Sequence, residues 1–167
     1  MKYFIFAFSL IVTNVYFSQE KRLSGKYVSP EIKNYISTNY PTIKKIKFYQ
    51  EKQKDSIFIE AEFQFGKDEI ALKFYNNQLI EKETELEFDE IDENCRTNIT
   101  SYLTKEYTKY TISECNTVDI PGKKKQFEIY FKGVKNNQSN YYEIYFDEKG
   151  NFIKLLEREV SPIQSLF

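Results

Sequence analysis

Apolar residues recur at helical spacing in two places, and at every second position in the stretches that follow each. Ile32, Tyr35, Ile36 and Tyr40 fall on one side of a helix. Ser29 is a good N-cap for it, Pro30 suits the first helical position, where no amide partner is needed, and Pro41 stops it. Ile91, Cys95, Ile99, Tyr102 and Leu103 make a second stripe. Asp89 is its expected cap, with Glu90, Asp92 and Glu93 where a helix dipole favours negative charge. After each helix the period becomes two. Ile57, Ile59, Ala61, Phe63 and Phe65 alternate with Phe58, Glu60, Glu62 and Gln64, and Ile70, Leu72 and Phe74 with Ala71, Lys73 and Tyr75. Later, Phe127, Ile129 and Phe131 alternate with Glu128 and Tyr130, and Tyr142, Ile144 and Phe146 with Glu143 and Tyr145. Strict alternation means antiparallel sheet with one dry face and one wet face. Gly66-Lys67-Asp68, Asn76-Asn77, Pro121-Gly122, Asn136-Asn137 and Lys149-Gly150-Asn151 mark the turns.

The order of these segments reads as a duplication. Ile32 to Ile36 with Tyr40 matches Ile99 to Leu103 with Tyr107, and Glu60-Ala61-Glu62-Phe63 matches Glu128-Ile129-Tyr130-Phe131. Leu72-Lys73-Phe74 with Leu79-Ile80 matches Ile144-Tyr145-Phe146 with Phe152-Ile153. The expected fold class is therefore α+β: two tandem α-β-β-β-β repeats over residues 19–88 and 89–167, their helices packed on one face of the sheets.

The first residues have the layout of a secretory signal peptide, residues 1–18. Lys2 gives a positive start, Phe4 to Phe17 is apolar except at Ser9, Thr13 and Asn14, and cleavage is expected after Ser18. The run is too short and interrupted for a membrane span, which needs about 20 apolar residues, so no stable membrane insertion is expected after cleavage. No cysteine follows it to carry a lipid, and the expected location is periplasmic or secreted.

Composition narrows the function further. Lys and Arg number 24 against 25 Asp and Glu, a net charge of −1, which argues against nucleic acid. The clusters Lys44, Lys45, Lys47 and Lys123 to Lys125 read as solvated edges and turns. Histidine is absent, removing the commonest general base and metal ligand. Neither a glycine-rich phosphate loop nor a nucleophile elbow is present. The cluster Asp89, Glu90, Asp92 and Glu93 lacks the spacing of a calcium loop and reads as helix capping. No enzyme activity, cofactor or metal is expected.

At this point the pattern resembles the PepSY-like, β-lactamase-inhibitor-like family of bacterial envelope proteins. The features that carry the likeness are the signal peptide, the helix ending in Tyr40-Pro41, the strand Glu60-Ala61-Glu62-Phe63 and the closing Tyr145 to Ile153 segment with its Asp147-Glu148-Lys149-Gly150-Asn151 turn. The likeness spans nearly all of the mature chain and is one of element order rather than of a sharp motif. Together with the lack of catalytic groups, the expected function is non-enzymatic binding of another envelope protein or a peptide, through the wet sheet face and the turns. The alternative is a small-ligand carrier or sensor with a pocket between helices and sheet.

Two sets of residues follow from the alternation and the compartment. Tyr49, Phe58, Tyr75, Tyr130 and Tyr145 should point away from the helices among Glu60, Glu62, Glu128 and Glu143, the mixed texture of a protein-binding patch. Cys95 and Cys115 are expected to form a disulfide, because a helix to about Tyr107 followed by a returning strand brings Cys115 level with Cys95. Such a bridge would stabilise by about 3 kcal/mol.

Overall fold

The structure is a computed structural model and describes residues 19–158. The expected signal peptide lies outside the described residues. The first helix, α1 (Pro30–Asn39), begins and ends as its punctuation requires: the Ser29 side chain accepts from the Ile32 amide, and Pro30 occupies the first turn. The second, α2 (Glu93–Glu106), starts later than expected. Asp92 rather than Asp89 is the cap, accepting from the amides of Asn94 and Cys95, while Phe88–Glu90 forms a separate short 3-10 turn. That turn closes its own capping box between Glu87 and Glu90, which takes Glu90 out of the first turn of the longer helix.

The strands are β1 (Gln19–Leu23), β2 (Lys47–Gln53), β3 (Ser56–Phe65), β4 (Asp68–Tyr75), β5 (Gln78–Glu85), β6 (Lys109–Asp119), β7 (Gln126–Lys135), β8 (Gln138–Asp147) and β9 (Phe152–Arg158). They form one nine-stranded sheet in sequential order, with every neighbouring pair antiparallel. This corrects the expectation of two tandem helix-plus-sheet repeats. β5 pairs directly with β6, Lys82 to Glu85 opposite Asp119 to Asn116, so the sheet runs on across the expected boundary at residues 88 and 89. The physical reason is the edge: an unpaired β5 would present a row of free N–H and C=O groups, and β6 satisfies them.

Two hairpin turns follow from their side chains. Asn76-Asn77 has φ of 49° and 65°, and Asn136-Asn137 has φ of 53° and 62°. Two left-handed central residues make the type I′ geometry that suits the twist of the flanking strands, and asparagine tolerates it. Gly150, at φ 79°, turns β8 into β9 directly under α2; a Cβ there would lie 2.5 Å from the Cys95 carbonyl oxygen.

Both helices cover the same face. Following the register, Phe63, Ile70, Thr84, Thr117, Phe127 and Phe146 form one row across β3 to β8, all on the helix side. Under α1, Ile32 and Ile36 meet Ala61, Leu72 and Phe74; under α2, Ile99 and Leu103 meet Ile129, Ile144 and Phe146. Two separate apolar clusters result, because the positions between them on this face are Lys82, Thr84 and Thr117. Cys95 and Cys115 both belong to the second cluster, and the expected disulfide is corrected here: both are buried free thiols. Cys95 Sγ points to the end of β8, 4.0 Å from the Asp147 carbonyl oxygen. Each thiol packs as a small hydrophobe, and burial pushes Cys115 up to about 12.

Candidate functional site

With both helices on one side, the other face of the sheet is open among the described residues. Alternation puts Tyr49, Phe58, Tyr75, Tyr130 and Tyr145 on it, as expected. They form two groups rather than one patch. In the first, Phe58 and Tyr75 are cross-strand partners on β3 and β4, their ring centroids 5.2 Å apart, and Tyr75 is 38% exposed. The Lys73 ammonium lies 5.4 Å from the centre of the Phe58 ring and pairs with Glu51. Tyr49 is half-buried on β2 opposite Glu60. In the second group, on β7 and β8, Tyr130 is half-buried and Tyr145 only 6% exposed. Tyr145 is therefore no contact residue, because the Lys154 ammonium sits 3.6 Å over its ring.

The acids of this second group were expected to be exposed between the rings. Instead Glu128 and Glu143 are each 1% exposed. The cause is a repeated tripeptide. Glu128-Ile129-Tyr130 and Glu143-Ile144-Tyr145 lie on adjacent antiparallel strands, so Glu128 faces Tyr145 and Tyr130 faces Glu143. Each carboxylate thus stands beside one tyrosine along its own strand and another across it, and the four side chains bury one another. This repeat is the signal by which the sequence could have revealed the network.

Hydrogen bonding closes the group. The Tyr145 hydroxyl touches both acids, as a very short contact to Glu128 Oε1 and at 2.6 Å from Glu143 Oε1. Tyr130 donates to Glu128 Oε1 at 3.2 Å, and Asn116 Nδ2 donates to Glu128 Oε2 at 3.3 Å and to Glu114 Oε1 at 2.9 Å. On the far side, Arg158 of β9 holds Glu143 Oε2 through Nε at 2.5 Å and through a second guanidinium nitrogen.

A count of protons assigns the charges. A tyrosine hydroxyl has one proton to donate, yet here it contacts two carboxylate oxygens. Two ionised acids would leave lone pair against lone pair at one contact. Glu143 faces the Arg158 cation, so a shared proton is favoured on Glu128; when protonated, Glu128 can donate to Tyr145 Oη, which then donates to Glu143. In keeping with this, burial and then the neighbouring Glu143 push Glu128 up to about 7. Glu83, on the same face of β5, is raised to about 9 by burial and then by Glu128, Glu81 and Glu60. Burial also raises both tyrosines, which stay neutral donors. No group of three or more Cys, Asp or Glu side chains among the described residues is arranged to hold a metal.

Comparisons with known proteins bear on the fold. No protein-family model matches the chain, and no curated protein matches it. Solved structures do. A DUF2874 family protein from Bacteroides uniformis ATCC 8492 is similar at 17% identity over 78% of this chain and 90% of that chain, with a TM-score of 0.63. One from Bacteroides ovatus ATCC 8483 is similar at 15% identity over 77% and 86%, with a TM-score of 0.61. A candidate periplasmic protein from Bacteroides eggerthii DSM 20697 is similar at 18% identity over 78% and 89%, with a TM-score of 0.63. At these identities the likeness is one of fold alone. None of the three names mentions PepSY or a lactamase inhibitor. No helix among the described residues is long and apolar enough to cross a membrane.

Proposed function

We propose that this chain is a non-enzymatic binding protein of the periplasm or the secreted fraction, taking another envelope protein or a peptide on the open sheet face. The observation that carries this reading is a sheet face free of helices among the described residues, on which the Phe58–Tyr75 pair stands beside charged neighbours. Aromatic rings held by strand backbone lose little freedom on contact, and interspersed charge suits the mixed texture of protein interfaces. Of the paired acids Glu128 and Glu143, Glu128 has the raised affinity for a proton that an acid–base couple would use. Their burial is what supports a structural role for them instead, since no substrate atom reaches a side chain 1% exposed.

The test compares recovery of envelope proteins by the wild type and by the double variant Phe58→Ala/Tyr75→Ala, with binding then measured against each purified candidate. A partner that binds the wild type saturably should bind the variant at least tenfold more weakly. A still-folded variant with unchanged affinity for every partner would refute the open face as the docking surface. The second reading, a small-ligand carrier, is favoured by one observation on the other side of the sheet.

A further inference from the structure

On the helix side, α1 does not seal its end of the first core. An open cleft of 480 Å³ lies between α1, the 3-10 turn Gly25–Tyr27 and the start of β2, within the ~300–1,000 Å³ common for small-ligand sites. Its apolar lining is Ile36, Ile43, Ile46, Phe48 and the Tyr40 ring. Lys26 and Lys33 supply its charge, and no acidic side chain among the described residues lines it. The helix delivers its share from one stripe, since Lys33, Ile36, Ser37 and Tyr40 follow the spacing that brings side chains onto a common face.

The lysines of the adjoining loop now read differently. Lys47 pairs with Glu62 at 3.9 Å, on the open face. Lys44 and Lys45 are exposed in the loop that supplies Ile43 and Ile46 to the cleft. In a chain with 24 basic and 25 acidic residues, four lysines around one apolar cleft are a local concentration rather than a general excess. An apolar floor with cations at its rim is complementary to a molecule with an apolar body and one negative end.

The geometry points to a binding site for a single-chain anionic amphiphile of the fatty-acid type, its chain over Ile36, Ile43, Ile46 and Phe48 and its carboxylate toward Lys26 and Lys33. Lys26, now 4.8 Å from the centre of the Tyr27 ring, is exposed and can turn its ammonium to the headgroup. Polar Ser37 is also exposed, its hydroxyl donating to the Asn34 carbonyl at 3.1 Å. A large ring at that position would fill the cleft without entering the core.

Dodecanoate below its micelle concentration is the probe, followed by calorimetry and by amide chemical shifts. Saturable binding is expected, with shift changes confined to residues 25–27, 30–40 and 41–48. Dodecyltrimethylammonium, of equal chain length and opposite charge, should bind at least tenfold more weakly. Ser37→Trp should weaken dodecanoate at least tenfold and Lys26→Gln/Lys33→Gln at least fivefold. The lysine pair is exposed, so that variant keeps the test decisive if the tryptophan disturbs folding. Equal affinity for the two amphiphiles, shifts on the open face, or unchanged binding by the lysine variant would each overturn the assignment. The Phe58→Ala/Tyr75→Ala protein should bind dodecanoate normally, so this site and the proposed docking face can fail independently.

Discussion

Replacing Glu128 by glutamine removes one ionisable group from the buried network while keeping its shape. The ordinary carboxyl value is 4.5, and in the folded protein Glu128 is raised to about 7. A raised acid binds its proton more tightly in the folded state than in the unfolded one. As pH rises from about 4.5 the unfolded chain releases this proton first, so stability falls across the window up to about pH 7 and then levels off. At about 1.4 kcal/mol per unit the whole loss has a ceiling of about 3 kcal/mol. Glutamine cannot ionise, and its amide can donate to Tyr145 as the protonated acid does. The Glu128→Gln protein should therefore match the wild type within about 1 kcal/mol at pH 5 and exceed it by about 1–3 kcal/mol at pH 8. Glu83 is also raised, to about 9, and adds its own downward slope to both proteins. Its slope should be smaller in the variant, because Glu128 is one of the charges that raise it. Urea unfolding followed by circular dichroism at pH 5, 6, 7 and 8 measures the difference. A variant less stable than the wild type at pH 8, with the gap unchanged at pH 5, would show that Glu128 is ionised in the folded protein and that the proton count is wrong.

Four further outcomes follow from the same structure. Gly150→Ala should destabilise by about 1–3 kcal/mol in urea, because φ is 79° and the new Cβ would meet the Cys95 carbonyl; a neutral result would mean that the turn relaxes freely. Leu103→Ala should cost about 2–5 kcal/mol, since its side chain is fully buried in the second core, and a cost below 1 would place it at the surface. Asp92→Ala should cost about 1 kcal/mol by removing the acceptor for the Asn94 and Cys95 amides, whereas Asp89→Ala should cost much less if the cap is where the structure puts it. Both thiols should resist a disulfide-exchange reagent in the folded protein and react fully in urea; absence of reactive thiol in urea without reductant would restore the bridge.

Much of this was legible in the residues themselves because it depends on neighbours along the chain. Ser29-Pro30 and Pro41 bracket α1, the two Asn-Asn pairs force left-handed turns, and period-two alternation assigns each strand residue to one face of the sheet. None of these needs a distant partner. The start of α2 is not legible in the sequence, because four acids in six residues (89–94) offer several caps, and a competing turn at Phe88–Glu90 decides among them. The single sheet was not legible either. Whether β5 and β6 are two free edges or one pair depends on backbone groups that any sequence supplies, and only the meeting of the strands settles it. Alternation likewise placed Glu128, Glu143, Tyr130 and Tyr145 on the face away from the helices, but it could not say that the centre of that face is dry. Burial there comes from residues up to 42 positions apart, Asn116 on β6 and Arg158 on β9, whose side chains converge only once four strands are in register. The sequence determined which side each residue faces; the tertiary structure decided which of those sides is shut to water, because shutting it takes neighbours that only the folded sheet brings together.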